Sequence, residues 1–417
     1  DSHPSSWIES LHQTRGDSIV VTSPPGVGSD TRWVPDADFY ASLENHLNGK
    51  DLSWRQAWGA IVAVSVLLQN PGLPGPDWIP RPLRAASLPM ASYRGTDLIT
   101  DVRTLLSGTD APLQTVEWLH NLDLAVGQQR LLLFDGLDSG FGNSPEERER
   151  RTKSVSGLLA TVNDQMPRLN NLRFKVLLRE DIWRDVLLPN KSHLSAASAK
   201  LSWSDKTDYL RLALKQAWRS TAFRELLSGR LSRDGFNPKT TIIDYWPDTF
   251  ISSAWIILAG ERISGGRTAF TDNWVWARLA DANGDHSPRT LVQLLAAATV
   301  KERLYEPGNP YSRSVLRPRA LVDSLDSVSE QALDALSRDE FPELEPLLEV
   351  LRSIGITPFE AERLDGVWDT RSSGVLTQLA QEVGLLEPLS DARTGIQKFR
   401  VPELYRKALN MNRRGQA

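Results

Sequence analysis

The sequence predicts an α/β chain: a parallel-sheet core, then a helical domain, then short helices with a small β-wing. Three observations carry that expectation. Two short apolar runs, residues 129–134 (QRLLLF) and 171–178 (NLRFKVLL), flank a helical pattern over 145–165. Strand, helix, strand with a crossover of this length makes a βαβ unit on a parallel sheet. Residues 251–300 read almost wholly as helix, and beyond Pro318 the texture changes to short helices that give way to a strand near 395–401.

Taken in order, residues 18–22 (SIVVT) are a β-branched run halted by Pro24, Pro25 and Gly26, hence a strand and a turn. A helix is expected over 39–47. Residues 53–69 are apolar and contain tryptophan, and their length favours a buried helix over a strand. Residues 71–89 hold so many prolines and glycines that they must be a loop. Helical pattern resumes over 97–106 and 113–126. The run 129–134 is the clearest buried strand and stops at Asp135-Gly136; 171–178 is a second of the same kind. A helix over 209–227 ends near Gly229. Turns at Gly265-Gly266 and Asn283-Gly284 interrupt the helical stretch of 251–300. Helices at 319–336, 343–354 and 373–383, followed by the 395–401 strand, fit a winged-helix domain. The expected division is 1–205 for the α/β core, 206–318 for a helical lid and 319–417 for the winged-helix domain.

Composition narrows the function. The 417 residues allow two or three domains at roughly 150 residues each. With 40% hydrophobic and 24% charged residues, the chain can bury a core and is not disordered. A net charge of -4 gives no global positive field for nucleic acid. The lack of cysteine excludes disulfides, a thiolate nucleophile, iron–sulfur clusters and Cys-ligated zinc. The six histidines form no HExxH pair, which speaks against a zinc hydrolase. The longest mainly apolar stretches, 60–68 and 253–259, fall well short of the ~20 residues that span a bilayer. A membrane role is therefore not expected, and the expected location is the cytoplasm. The chain starts at Asp1 rather than methionine, as a piece of a longer protein would.

The sharpest local signal is LLLFDGLDSG, residues 131–140. Four apolar residues deliver Asp135 to the carboxyl end of a buried strand, where ligands of open α/β sheets sit. An acid there orders Mg²⁺ in P-loop NTPases, and a second carboxylate such as Asp138 positions the attacking water. The plain alternative is that Asp135-Gly136 merely ends the strand. The next strand runs into Arg179-Glu180-Asp181, where an arginine would neutralise a γ-phosphate; a solvated ion pair is the alternative. Arg289, in His286-Ser287-Pro288-Arg289, falls near a helix start with Pro288 in the first turn, or is a surface charge. GxxxxGK[ST] occurs nowhere, and Pro25-Gly26-Val27-Gly28-Ser29 lacks the lysine and the length of a phosphate loop. His193 has no triad partner nearby and reads as a hydrogen-bonded structural histidine. Of the 14 tryptophans, Trp78 and Trp203 are those expected at an exposed interface. Arg400, Arg406, Lys407, Arg413 and Arg414 form a basic concentration that would either touch nucleic-acid phosphates or solvate a helix end.

Four stretches together resemble a family of large bacterial P-loop ATPases related to the STAND and KAP groups: LLLFDGLD (131–138), FKVLLREDIWRDVLLPNKSHL (174–194), LSWSDKTDYLRLAL (201–214) and SPRTLVQLLAAA (287–298). The tail IQKFRVPELYRKALNMNRRG (396–415) is similar to the end of the winged-helix region of those proteins. The resemblance implies a P-loop NTPase-like core, with Asp135 as the Walker B aspartate and Mg²⁺ ligand. It puts Arg179 at a sensor-like strand end and Arg289 in an RPRD-like helix start. ATP and Mg²⁺ are the cofactors it implies, in a regulatory conformational switch that works on a protein partner or through self-association. The missing Walker A loop would precede a segment like residues 1–22, in sequence upstream of Asp1. Two other readings stand beside this one: an inactive NTPase-fold scaffold, and a DNA-binding regulator using the winged helix.

Overall fold

Three short strands, β1 (Ser18–Thr22), β2 (Arg130–Phe134) and β3 (Leu172–Val176), form a parallel sheet in the order β1-β2-β3 in this computed structural model. The structure describes residues 18–23, 34–138, 140–141, 144–189, 191–231, 242–263, 269–309, 311–365, 370–390 and 397–414. It divides into two compact units, Asp1–Ala199 and Lys200–Ala417, each with its own hydrophobic core.

In the first unit β2 lies between the other two strands. Leu131, Leu132 and Leu133 pair with Ser18, Ile19 and Val20 on one side and with Arg173, Phe174 and Lys175 on the other. The helices are α1 (Ala37–Lys50), α2 (Trp54–Gln69), α3 (Gly95–Leu105), α4 (Ala111–Val126), α5 (Pro145–Gln165), α6 (Glu180–Asp185) and α7 (Lys191–Ala196). Helix α2 is apolar on nearly every face because β1, α3, α4 and α5 all pack on it, as a fully enclosed helix requires. Its last residue, Gln69, accepts the Val20 N–H at 2.9 Å and donates to the Val20 carbonyl at 2.7 Å. One side chain thus satisfies a backbone pair of β1.

Close approach of α2 and α5 depends on Gly157. A Cβ there would lie 2.5 Å from Trp54 Cβ and 2.8 Å from the Trp54 carbonyl carbon. Neighbouring contacts fix the same crossing: Trp58 Nε1 donates to the Ser154 carbonyl at 2.8 Å, and Thr161 Oγ1 donates to the Arg55 carbonyl at 2.9 Å. Gly157→Leu is therefore expected to destabilise the first unit by about 3 kcal/mol through overpacking, read as a lowered denaturant midpoint.

The second unit is mainly helical: α8 (Lys206–Ala217), α9 (Thr221–Leu231), α10 (Asp248–Ala259), α11 (Thr271–Leu279), α12 (Pro288–Tyr305), α13 (Pro318–Asp334), α14 (Glu345–Ile354) and α15 (Thr370–Glu382). β4 (Arg262–Ile263) and β5 (Ala269–Phe270) form a small hairpin before α11. β6 (Ile356–Thr357) pairs in parallel with β10 (Asn412–Arg413). β7 (Phe359–Glu360), β9 (Gln397–Arg400) and β8 (Glu387–Ser390) make an antiparallel sheet in that order. Elements before and after Pro318 share one core, which runs from Tyr209 through Leu321 to Met411.

Local expectations fail where a tertiary contact or a cap intervenes. The helix expected over 209–227 is two helices, separated at Trp218, Arg219 and Ser220, and the second runs through Gly229 to Leu231. Ser220 Oγ accepts the Phe223 N–H at 3.4 Å, a capping contact that starts α9. Inside the loop of 71–89, Arg84–Ser87 forms one helical turn, held by Asp101, which accepts the N–H groups of Arg84 and Ala85. Gly265 and Gly266 lie outside the described residues. Trp78 packs edge-on against Trp118 and Trp203 against Tyr209, so both are half-buried contacts and not free surface. His193, by contrast, is exposed on α7.

Asp281, just after α11, has a raised pKa. Its Oδ1 accepts the N–H groups of Asn283 at 2.9 Å and Asp285 at 2.8 Å. Burial outweighs those hydrogen bonds, and with the Asp285 charge it pushes the pKa up to about 6 from an ordinary 3.8. A carboxyl whose folded pKa is raised costs stability as it ionises, so stability falls as pH climbs from about 4 to 6. Asp281→Asn keeps an acceptor oxygen without the charge. It is expected to raise the thermal midpoint at pH 8 and to leave it unchanged at pH 3.

Candidate functional site

The candidate site lies at the carboxyl end of β2. Between β1 and β3, the chain leaves the sheet at Asp135 with its backbone fixed on both sides. The Asp135 N–H donates to the Thr22 carbonyl at 3.2 Å, and Thr22 Oγ1 donates to the Asp135 carbonyl at 2.8 Å. On the other side Leu177 N–H donates to the Phe134 carbonyl at 2.8 Å. Gly136 then takes φ +71, a left-handed conformation that glycine adopts without strain. Its N–H donates to Asp135 Oδ1 at 2.8 Å.

The turn beyond is pinned by two apolar side chains. Leu137 is buried, and Phe141 stacks on Tyr40 with ring centroids 3.7 Å apart. Asp138 lies between them in sequence with its side chain 37% exposed. Two arginines meet this residue. Arg151 donates to its carbonyl at 3.2 Å, and Arg179 Nη1 is 3.8 Å from its Oδ2. Arg179 stands just before α6, where its carbonyl accepts the Trp183 N–H at 3.0 Å. An ion pair this long and this exposed adds little stability.

Burial raises the pKa of Asp135 above the usual carboxylate range. The Gly136 hydrogen bond opposes that rise and the negative charge of Asp138 adds to it. A nearby cation would favour the charged form and so oppose that rise. Next to Thr22, Ser23 is 2% exposed and its hydroxyl has no hydrogen-bond partner among the described residues. Asp135, Asp138 and Ser23 carry oxygen donors, the type that hard cations take. Among the described residues no cluster of three or more His, Asp and Glu side chains suits a metal ion.

The structure brings Asp138 and Arg179 together and holds Asp135 three residues upstream on the same turn. Arg289 belongs to the second unit. It is exposed at the start of α12, and its backbone N–H donates to Ser287 Oγ at 3.2 Å. The turn of Pro25 to Ser29 lies outside the described residues. Sequence reasoning missed Thr22, Ser23 and Arg151. Thr22 and Ser23 carried one signal, a switch from apolar to hydroxyl residues at the end of SIVVT.

Four of the five basic residues near the C-terminus meet acidic partners within their own unit, with Glu403 shared among Arg406, Arg413 and Arg278. Arg400 pairs with Glu387, Arg406 and Arg413 with Glu403, and Lys407 with Asp326. Among the described residues no helix is long and apolar enough to cross a membrane. Comparison with protein-family models, with curated proteins and with solved structures finds no match.

Proposed function

We propose that the first unit is a nucleotide-responsive module that takes ATP and Mg²⁺ at the carboxyl end of β2. In this reading the chain is a regulatory switch that couples nucleotide state to a protein partner. The elements after Pro318 act as a winged-helix domain in this reading. The observation that supports the reading is Asp135 at the end of a strand flanked on both sides, with Arg179 held beside Asp138. Asp135 and Ser23 would hold the hydrated Mg²⁺, whose charge would neutralise phosphate oxygens. Asp138 would orient water once Arg179 leaves it for the terminal phosphate. Cation binding should weaken as pH falls through the raised pKa of Asp135, because the protonated carboxyl no longer attracts the ion.

The test uses the protein encoded by its whole reading frame. Asp135→Ala is expected to reduce Mg²⁺-dependent ATP hydrolysis to background while leaving the thermal midpoint near that of the parent. Unchanged turnover removes Asp135 from the reaction. One observation favours a second reading, a scaffold that keeps the fold without catalysis: residues 1–417 contain no GxxxxGK[ST] loop. That reading gains if the whole protein binds no ATP at all.

A further inference from the structure

The second unit contains a groove of about 580 Å³ walled by α8, α9, α10 and α12 and by residues 315–316, a size suited to a small molecule. Ala217, Phe223, Leu226, Leu295 and Ala296 line it with hydrocarbon. Val292 and Val315, also in the lining, remain 39% and 41% exposed. Apolar surface left in a concavity favours an apolar occupant, which removes it from water.

Charge specifies one end of that occupant. Glu302 and Arg303 are adjacent in sequence and both line the groove. Glu302 is committed to the fold: its Oε2 accepts the Arg317 N–H and its Oε1 accepts Arg317 Nε, each at 2.9 Å. Arg303 is exposed and has no hydrogen-bond or ion-pair partner among the described residues. The groove thus offers a hydrocarbon wall with one uncompensated guanidinium at its margin, and guanidinium binds carboxylates through paired N–H donors.

We propose that this groove binds a small amphiphile of the medium-chain carboxylic acid class, its chain on the apolar wall and its carboxylate on Arg303. The proposal is independent of the nucleotide reading, which concerns the first unit.

Calorimetric titration of the whole chain with decanoate and with decanol tests it. Decanoate is expected to bind saturably, one per chain and more tightly than decanol. Arg303→Ala should weaken decanoate about tenfold, the loss of one charge-assisted contact, and leave decanol unchanged. Ala296→Phe should fill the groove and abolish binding of both. Ala296 is exposed, so an unaltered thermal midpoint and circular dichroism spectrum should confirm that this variant folds. No saturable binding of decanoate overturns the proposal, as does decanoate binding that survives Ala296→Phe. Equal decanoate affinity before and after Arg303→Ala removes the anionic end. Concentration-dependent dimerisation that disappears with Ala296→Phe assigns the groove to a second copy of the chain instead.

Discussion

Asp123→Ala is expected to lower the stability of the first unit by roughly 4 kcal/mol. Asp123 is 1% exposed near the end of α4, and its carboxylate accepts the backbone N–H groups of Asn170, Asn171 and Leu172 at 2.7 to 2.8 Å. These donors precede or open β3. Alanine would leave them without acceptors, and an orphaned buried N–H costs about 1–3 kcal/mol. Asp123→Asn keeps the Oδ1 that serves Asn171 and Leu172, and its loss should be less than half as large. Denaturant midpoints of the two variants separate the hydrogen-bonding effect from simple truncation. The effect should extend to the candidate site, because β3 and the residues after it carry Arg179.

Glu302→Ala should cost the second unit about 3–5 kcal/mol. Arg317 precedes α13 with its side chain 8% exposed, and Glu302 on α12 is its main counter-charge. Truncation leaves a buried guanidinium with the Asn309 carbonyl at 2.8 Å, a more distant Glu306 at 3.5 Å and the Tyr305 and Tyr311 rings, but no close counter-charge. Replacing both partners, as Glu302→Leu with Arg317→Met, removes the charges together and should recover most of the loss. Thermal unfolding of the single and double variants gives the coupling directly. If the double variant is as unstable as Glu302→Ala, packing and not uncompensated charge sets the cost.

The legible part of this protein was what local pattern controls. β2 and β3 lie where short apolar runs with stop signals put them, although β3 exposes Arg173 and Lys175 and buries only Leu172 fully, and α2 and α5 likewise lie where expected. Asp135 could be placed at a strand end for the same reason. What could not be read depends on partners distant in sequence. Asp123 looks like an ordinary polar residue of an amphipathic helix, yet its acceptors serve residues 170–172. Gln69 shows no sign of the clamp on Val20, 49 residues away. The pairing of Lys407 in the basic tail with Asp326 spans 81 positions and has no local signature. The break at Ser220 was missed because a serine within a helical pattern also fits a helix interior, and its capping role depends on the backbone around it.

Calorimetric titration of ATP into the protein of the whole reading frame, with and without Mg²⁺, tests the assignment of Asp135 most directly. Mg²⁺ is expected to tighten ATP binding, Asp135→Asn to lose that gain, and Arg179→Ala to weaken ATP more than ADP. Identical ATP affinity in the parent and Asp135→Asn proteins, indifferent to Mg²⁺, would contradict a nucleotide–metal site at the end of β2.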